Sequence, residues 1–255
     1  MKIPDEIFGR RIEGAMSRYL DSKKTAEPVK PKQTPLETSL DFWTIPNVEY
    51  KNGIYTVDLA KTLLDNGNSK TQDEWVEYSK QAQQKNGFYA GDFPLYHALF
   101  TALFRNKDGN QKGIEEIRQF IKQQMLDKWL MTLTRIIYTP KNQKDKVMHN
   151  YGMPNSYAIE INSFIGSDGF IKNTAKVKEP LQALLDNQQD VKEINSVYKW
   201  LTDVDAYIFR VNSEVKNTDE RVAWFGADSG GAGLSCGRYP QHSNSGLGVR
   251  FARKK

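Results

Sequence analysis

The residues best able to do chemistry in this 255-residue chain are three histidines, one cysteine and a few carboxylates. His97, His149 and His242 stand far apart, and none has a partner at zinc-ligand spacing. Asp203 and Asp205 could open a calcium loop, but the remaining oxygen ligands of a hand-type loop are missing. No metal is therefore expected, and His97 reads as a packed or solvent-facing side chain. Cys236 alternates with Leu234, which places it inward as a small, inert hydrophobe. As a single thiol it excludes an internal disulfide framework. Ser243 beside His242 lacks the ordered third member of a triad. The glycine-rich run at 226–233, GADSGGAG, is followed by neither a Gly-Lys-Ser/Thr step nor a long helix, so it is not a phosphate loop. Catalytic residues and a cofactor are not expected, and the chemistry that survives is that of a binding surface.

That surface falls in the tail, ERVAWFGADSGGAGLSCGRYPQHSNSGLGVRFARKK (220–255). Val222, Phe225, Ala227, Ala232, Leu234 and Cys236 are small or apolar and recur with a period near two, the mark of strands with one face on a core. Phe225, Ala227 and Ser229 are expected to point inward from one strand, and Ala232, Leu234 and Cys236 from the next. Gly230-Gly231 forms the turn between them. The outward set is Trp224, Gly226, Asp228 and Gly230 on the first strand, and Gly233, Ser235 and Gly237 on the second. Arg238, Tyr239, Gln241, His242, Asn244 and Gly246 follow in a loop. Glycine is a poor strand residue, so these outward positions were not chosen for stability. Trp, Tyr and Arg are residue types that anchor interfaces, and small polar residues around aromatic ones have the composition of antibody paratopes. Gly, Ser, Asp, His, Tyr and Asn are also residues reached from an asparagine codon when only its two adenines change, and they crowd this tail. A glycine- and serine-rich loop is the plainer reading of the same composition.

From Arg221 to Arg253 the chain resembles the C-terminal variable region of proteins diversified by retroelements. The resemblance rests on RVAWF (221–225), on Arg238 to Pro240, and on LGVRFAR (247–253), in which Gly248, Arg250 and Arg253 fit the ending of that group while Val249 replaces its aromatic. YHALFTALF (96–104), KWLMTLTRI (128–136) and HNYG (149–152) are similar to the archaeal-virus and nanoarchaeal members. The resemblance covers residues 87–255 well and the first part poorly. It implies a C-type lectin fold of the formylglycine-generating-enzyme subgroup, a non-catalytic role in attachment, and a variable protein or cell-surface ligand as partner, displayed on a virion or cell. Calcium is not required in that subgroup. The enzymes of that fold need reactive cysteines, so their activity does not carry over to a chain with one. Two alternatives stand beside this reading. One is an enzyme using the patch as a pocket, with Asp228, Arg238 and His242 as its only candidates. The other is a nucleic-acid-binding accessory protein.

The elements that must position the tail read as an α+β pattern, helices first and strands later, with no internal repeat. The expected fold is a C-type lectin-like domain over 36–255 with helical insertions and a short-stranded antiparallel C-terminal region. Ahead of it, 1–20 carries an apolar stripe at helical spacing, and the Pro- and Lys-rich stretch up to residue 35 reads as a linker. FWTIPNVEYKNGIYTV (42–57) predicts a hairpin turning at Lys51 to Gly53, and VDLAKTLLDNG (57–67) a helix. Thr71 with Glu74 predicts a capping box, and Asp92 with Pro94 the start of a helix running to 109. Further helices are expected over 113–126, 179–187 and 190–203. Strands are expected over 130–138, 147–152, 156–166 and 206–212, with three more after Arg221. Trp 5, Tyr 12 and Phe 12 supply an ample core. The net charge of +5 is spread along the chain, so no specific nucleic-acid partner is expected. No apolar run is long enough to span a membrane, and MKIPDEIFGRR has no secretory h-region. Oligomeric state stays open, a monomer being the expectation, because an amphipathic helix such as 1–20 more often packs on its own chain.

Overall fold

A computed structural model describes residues 6–7, 10–11, 36–109, 111–171, 177–228 and 230–252. The chain divides into two compact units, Met1–Thr34 and Pro35–Lys255. In the first, β1 (Glu6–Ile7) and β2 (Arg10–Arg11) pair antiparallel, in place of the helix expected over 1–20. Gly9 and Gly14 interrupt that stretch, each disfavouring a helix interior by about 1 kcal/mol. The rest of 1–20, the linker expected up to residue 35, Ser229 and Arg253 lie outside the described residues.

The second unit is mixed α/β, a large open sheet with five helices. β4 (Phe42–Tyr50) and β5 (Gly53–Leu63) form the expected hairpin, with Lys51 at φ 53° in its turn. The helix expected over 57–67 is instead the second half of β5, closed by a 3₁₀ turn at Leu64–Gly67. Val57 and Leu59 are fully buried in the core, while Asp58 points the other way. Its carboxylate accepts from Thr44 Oγ1 at 2.7 Å and Arg250 Nε at 3.0 Å. Pairing with the distant last strand overrides a local pattern that fits a helix equally well.

The helices are α1 (Gln72–Gln84), α2 (Phe93–Arg105), α3 (Gln111–Asp127), α4 (Lys178–Leu185) and α5 (Val191–Thr202). α1 opens on the Thr71–Glu74 capping box, and Asp92 caps α2 through Leu95 N. Asp190 caps α5 alone, through Lys192 N, while Glu193 turns to Gln189 and Arg105. The remaining strands are β3 (Glu37–Thr38), β6 (Tyr89–Ala90), β7 (Leu130–Tyr138), β8 (Asp145–His149), β9 (Tyr157–Ile161), β10 (Gly169–Phe170), β11 (Ala206–Phe209), β12 (Asp219–Asp228), β13 (Gly231–Arg238) and β14 (Ser245–Phe251). They run in the order β10-β11-β13-β12-β7-β14-β5-β4-β3, with β6 on β14 and β8-β9 beside β7. The C-terminal strands are not wholly antiparallel: β13 pairs parallel with β11, and β14 parallel with β7.

α2 lies at the centre of the core, with Phe93 to Leu103 all buried. Tyr96 Oη ties it to the sheet, donating to Leu247 O at 2.6 Å and accepting from Gly91 N at 2.8 Å. On the opposite side of β12 and β7, α1 contributes Trp75 and Val76 to a smaller apolar cluster with Met131, Leu133, Val222 and Trp224. Arg135 fastens α1 to the sheet: it donates to Gln72 and Asp73 of α1, to Tyr151, and to Glu220 of β12. No helix among the described residues is long and apolar enough to cross a membrane.

Candidate binding surface

β12 and β13 are antiparallel neighbours with Phe225 opposite Leu234, Gly226 opposite Gly233, and Ala227 opposite Ala232. Phe225, Ala227, Ala232, Leu234 and Cys236 all enter the main core. Phe225 alone meets Phe93, Tyr96 and Phe100, with ring centroids 5.1–5.9 Å away. Cys236 is fully buried, and desolvation raises its thiol far above the usual range, so it carries no thiolate chemistry. Val222 departs from the expected inward set. The register shifts between Val222 and Trp224, so both lie in the α1-side cluster. The carbonyl of the intervening Ala223 accepts from Thr132 Oγ1 at 2.7 Å. A bulge of this kind re-aims the side chains that follow it.

The other face is not the open surface expected of it. Trp224, Gly226, Gly231, Gly233, Ser235 and Gly246 are buried. Trp129, from the segment between α3 and β7, lies flat on the two opposed glycines. A Cβ on Gly226 would meet Trp129 Cδ2 at 2.9 Å, and one on Gly233 would meet Trp129 Cη2 at 2.5 Å and Phe209 Cε2 at 3.2 Å. Tyr207 lies over Gly231, and Trp75 with Leu64 over Gly246. Backbone without side chains leaves room for rings, and rings from outside the tail fill it.

The exposed positions separate into two ends. Asp228 and Gly230 sit at the β12–β13 turn, where Asp228 Oδ1 accepts from Gly230 N at 2.7 Å and Gly231 N at 3.1 Å. Arg238, Tyr239, Gln241 and His242 lie past the far end of β13, about 23 Å away at strand rise. Gly237 and Asn244 are half-buried. Asn244 is a structural anchor, its carbonyl accepting from Lys70 N at 3.0 Å and Trp75 Nε1 at 2.8 Å.

Aromatic rings and arginines span the distance between these ends. Phe170, Tyr207 and Phe209 follow one another with centroids 5.1 and 4.7 Å apart, and Phe209 meets Trp129 edge-on at 6.0 Å. The Arg238 guanidinium then lies 5.7 Å from the Trp129 ring and 5.6 Å from the Trp224 ring. His242 is 5.7 Å from Tyr239, on whose face the Arg221 guanidinium stacks at 3.4 Å. Cation–π contacts of this sort hold arginine in place. Trp129, Phe209, Ser235, Gly237 and Arg238 line an open recess of about 200 Å³. Of these, the sequence reading missed Trp129 and Phe209. Their signal was the outward alternation of Tyr207 and Phe209 in β11, and a tryptophan placed one residue ahead of β7.

The alternative chemistry finds little geometry. Asp228 is at the opposite end of β13 from Arg238 and His242, so the three do not converge. A cavity of about 260 Å³ between the β4–β5 turn, α2 and the segment after α4 is lined in part by Lys51, His97, Arg105, Asp186 and Gln189. His97 is packed there, stacked on Tyr198 at 5.7 Å, with Nε2 2.6 Å from Gln189 Oε1. Burial lowers its pKa to about 4, as it does for His149, whose ring nitrogens meet Thr134 Oγ1 and Ala183 O. Burial also raises Asp92 to about 6, against the hydrogen bond that Tyr50 donates to it at 2.8 Å. Among the described residues no three His, Cys, Asp or Glu side chains come together to hold a metal. No protein-family model matches this chain, and no curated protein or solved structure matches it significantly.

Proposed function

We propose that this chain is a non-catalytic ligand-binding protein of C-type lectin-like fold, with helical insertions, whose tail is diversified by a retroelement to vary its recognition of a protein or cell-surface partner. The recognition surface is the aromatic and arginine strip with the loop after β13: Trp129, Phe209, Arg238, Tyr239 and His242, with Ser235 and Gly237 recessed among them. One observation carries the reading. The tail's side chains divide by face, and the face holding Gly226 and Gly233 contributes nothing to the core around α2. That face can change in sequence while the core stays the same. Trp129, half-buried and anchored outside the tail, can follow the change. By resemblance the protein serves a virus or microbe in attachment.

The test is genomic. The flanking DNA is expected to hold a near-copy of the tail-coding sequence beside a reverse transcriptase gene, differing from it at adenines in the codons for the outward positions between 224 and 246. A lone gene whose close relatives keep those positions invariant would contradict the proposal.

A further inference from the structure

The cavity beside Trp129 has a chemical bias that narrows what it can bind. At about 200 Å³ it is smaller than the roughly 300–1,000 Å³ of sites for whole small molecules, and it fits one side chain. Its charged group is a donor alone, and its hydroxyl can donate as well as accept. Ser235 lines the recess, and its hydroxyl makes no hydrogen bond among the described residues, so it is available to donate to an acceptor that enters. Arg238 is exposed and makes no ion pair among the described residues, its recorded contacts being those with the Trp129 and Trp224 rings. Both rings lie within cation–π range of the guanidinium, and its N–H groups have no acceptor among the described residues, so they are open to a carboxylate. Among the described residues no carboxylate lines the recess, and the nearby Asp219 is committed to Arg221 at 2.5 Å. The one formal charge in the lining is positive, and Trp129 and Phe209 give apolar walls that suit a short methylene stem.

We infer that this cavity receives a single acidic side chain from a protein partner, a glutamate whose methylenes lie between Trp129 and Phe209 and whose carboxylate accepts from Ser235 Oγ and the Arg238 guanidinium. The inference rests on the binding role proposed above and names the ligand class for that same surface. It also assigns the tail's glycines a task. With Gly226 and Gly233 the Trp129 ring lies flat and forms the wall, and a larger residue at either position displaces the ring and closes or reshapes the cavity.

The test uses the full chain, isotope-labelled, with indole N–H signals read by NMR. The probes are blocked peptides carrying one glutamate among leucines, the same peptides with glutamine, and inorganic phosphate. The glutamate peptide is expected to shift the Trp129 indole signal and to bind about tenfold tighter than the glutamine peptide. Arg238→Gln and Ser235→Ala are each expected to abolish that preference, with the indole signals of Trp43, Trp75 and Trp200, away from the recess, unmoved as the check that the fold persists. Equal binding of the two peptides, phosphate competing as well as glutamate, or no shift at about 10 mM peptide would overturn the inference. A failed peptide test in a gene flanked by a template repeat removes the carboxylate site alone. A glutamate-selective cavity in a gene without such a repeat removes the retroelement reading alone.

Discussion

At the residue scale, what distinguishes this tail is a pair of glycines facing each other across two strands with one indole lying on both. The close contacts at Gly226 and Gly233 are mainly to the half-buried Trp129 ring, with Phe209 beside Gly233. A side chain there must displace the ring. Gly233→Ala is expected to cost about 1–3 kcal/mol, part of it offset by the smaller backbone entropy of alanine. The same change should move the Trp129 indole signal toward that of a solvated ring. On the opposite face Phe225→Ala empties a site shared by three rings of α2, and a loss of about 3–5 kcal/mol is expected in urea unfolding. Comparable losses for the two variants would show that both faces are structural. The division into faces was legible in the alternation of Phe225, Ala227, Ala232, Leu234 and Cys236. The cover over the other face was not, since periodicity reports which side of a strand a residue takes and is silent about what arrives there from other elements, Tyr207 and Phe209 from β11 and Trp129 from ahead of β7.

At the element scale, the last strand is held by a charge that looks misplaced in the sequence. Asp58 is 5% exposed, and with Thr44 and Arg250 it fastens β14 to β5 and β4. Asp58→Ala leaves Arg250 without its carboxylate, and a loss of about 3 kcal/mol is expected, measurable by thermal or urea unfolding. Arg250→Ala should cost less on its own, because Thr44 still satisfies Asp58 in part. Elements with local signals were readable in the chain: the α1 capping box, the Asp92 cap with Pro94, and the run of β-branched residues in β7. The stretch 57–67 was not, because its turn signal at Asn66-Gly67 suits a helix end as well as the 3₁₀ turn that closes β5. Only the register with β14 decides between them.

At the scale of the whole molecule, three buried titratable groups set the response to acid. His97 and His149 have folded pKa values near 4, below the ordinary value of 6.5. The unfolded chain therefore binds more protons between pH 6.5 and 4, and stability falls as pH drops through that window. Asp92 acts in the opposite sense. Its folded value near 6 lies above the ordinary 3.8, so its contribution grows on acidification from about 6 to 4. Two histidines against one carboxylate leave a net loss on the order of 3 kcal/mol between pH 7 and pH 4. Urea midpoints at the two pH values should show it, and His149→Gln should remove about half of the acid sensitivity contributed by the histidines. A midpoint independent of pH would mean that these side chains reach water in the folded state.

On the proposed reading, one face of the tail carries the fold and the other is free to vary. Two libraries displayed on a cell or phage surface and selected for protease resistance test it most directly. One is randomised at Gly226, Gly233, Ser235, Arg238, Tyr239 and His242, the other at Ala223, Phe225, Ala227, Ala232, Leu234 and Cys236. Most members of the first are expected to survive, with diverse residues at every randomised position, and few of the second, nearly all apolar. Equal survival in the two libraries, or a return to glycine at 226 and 233 in the first, would contradict the account.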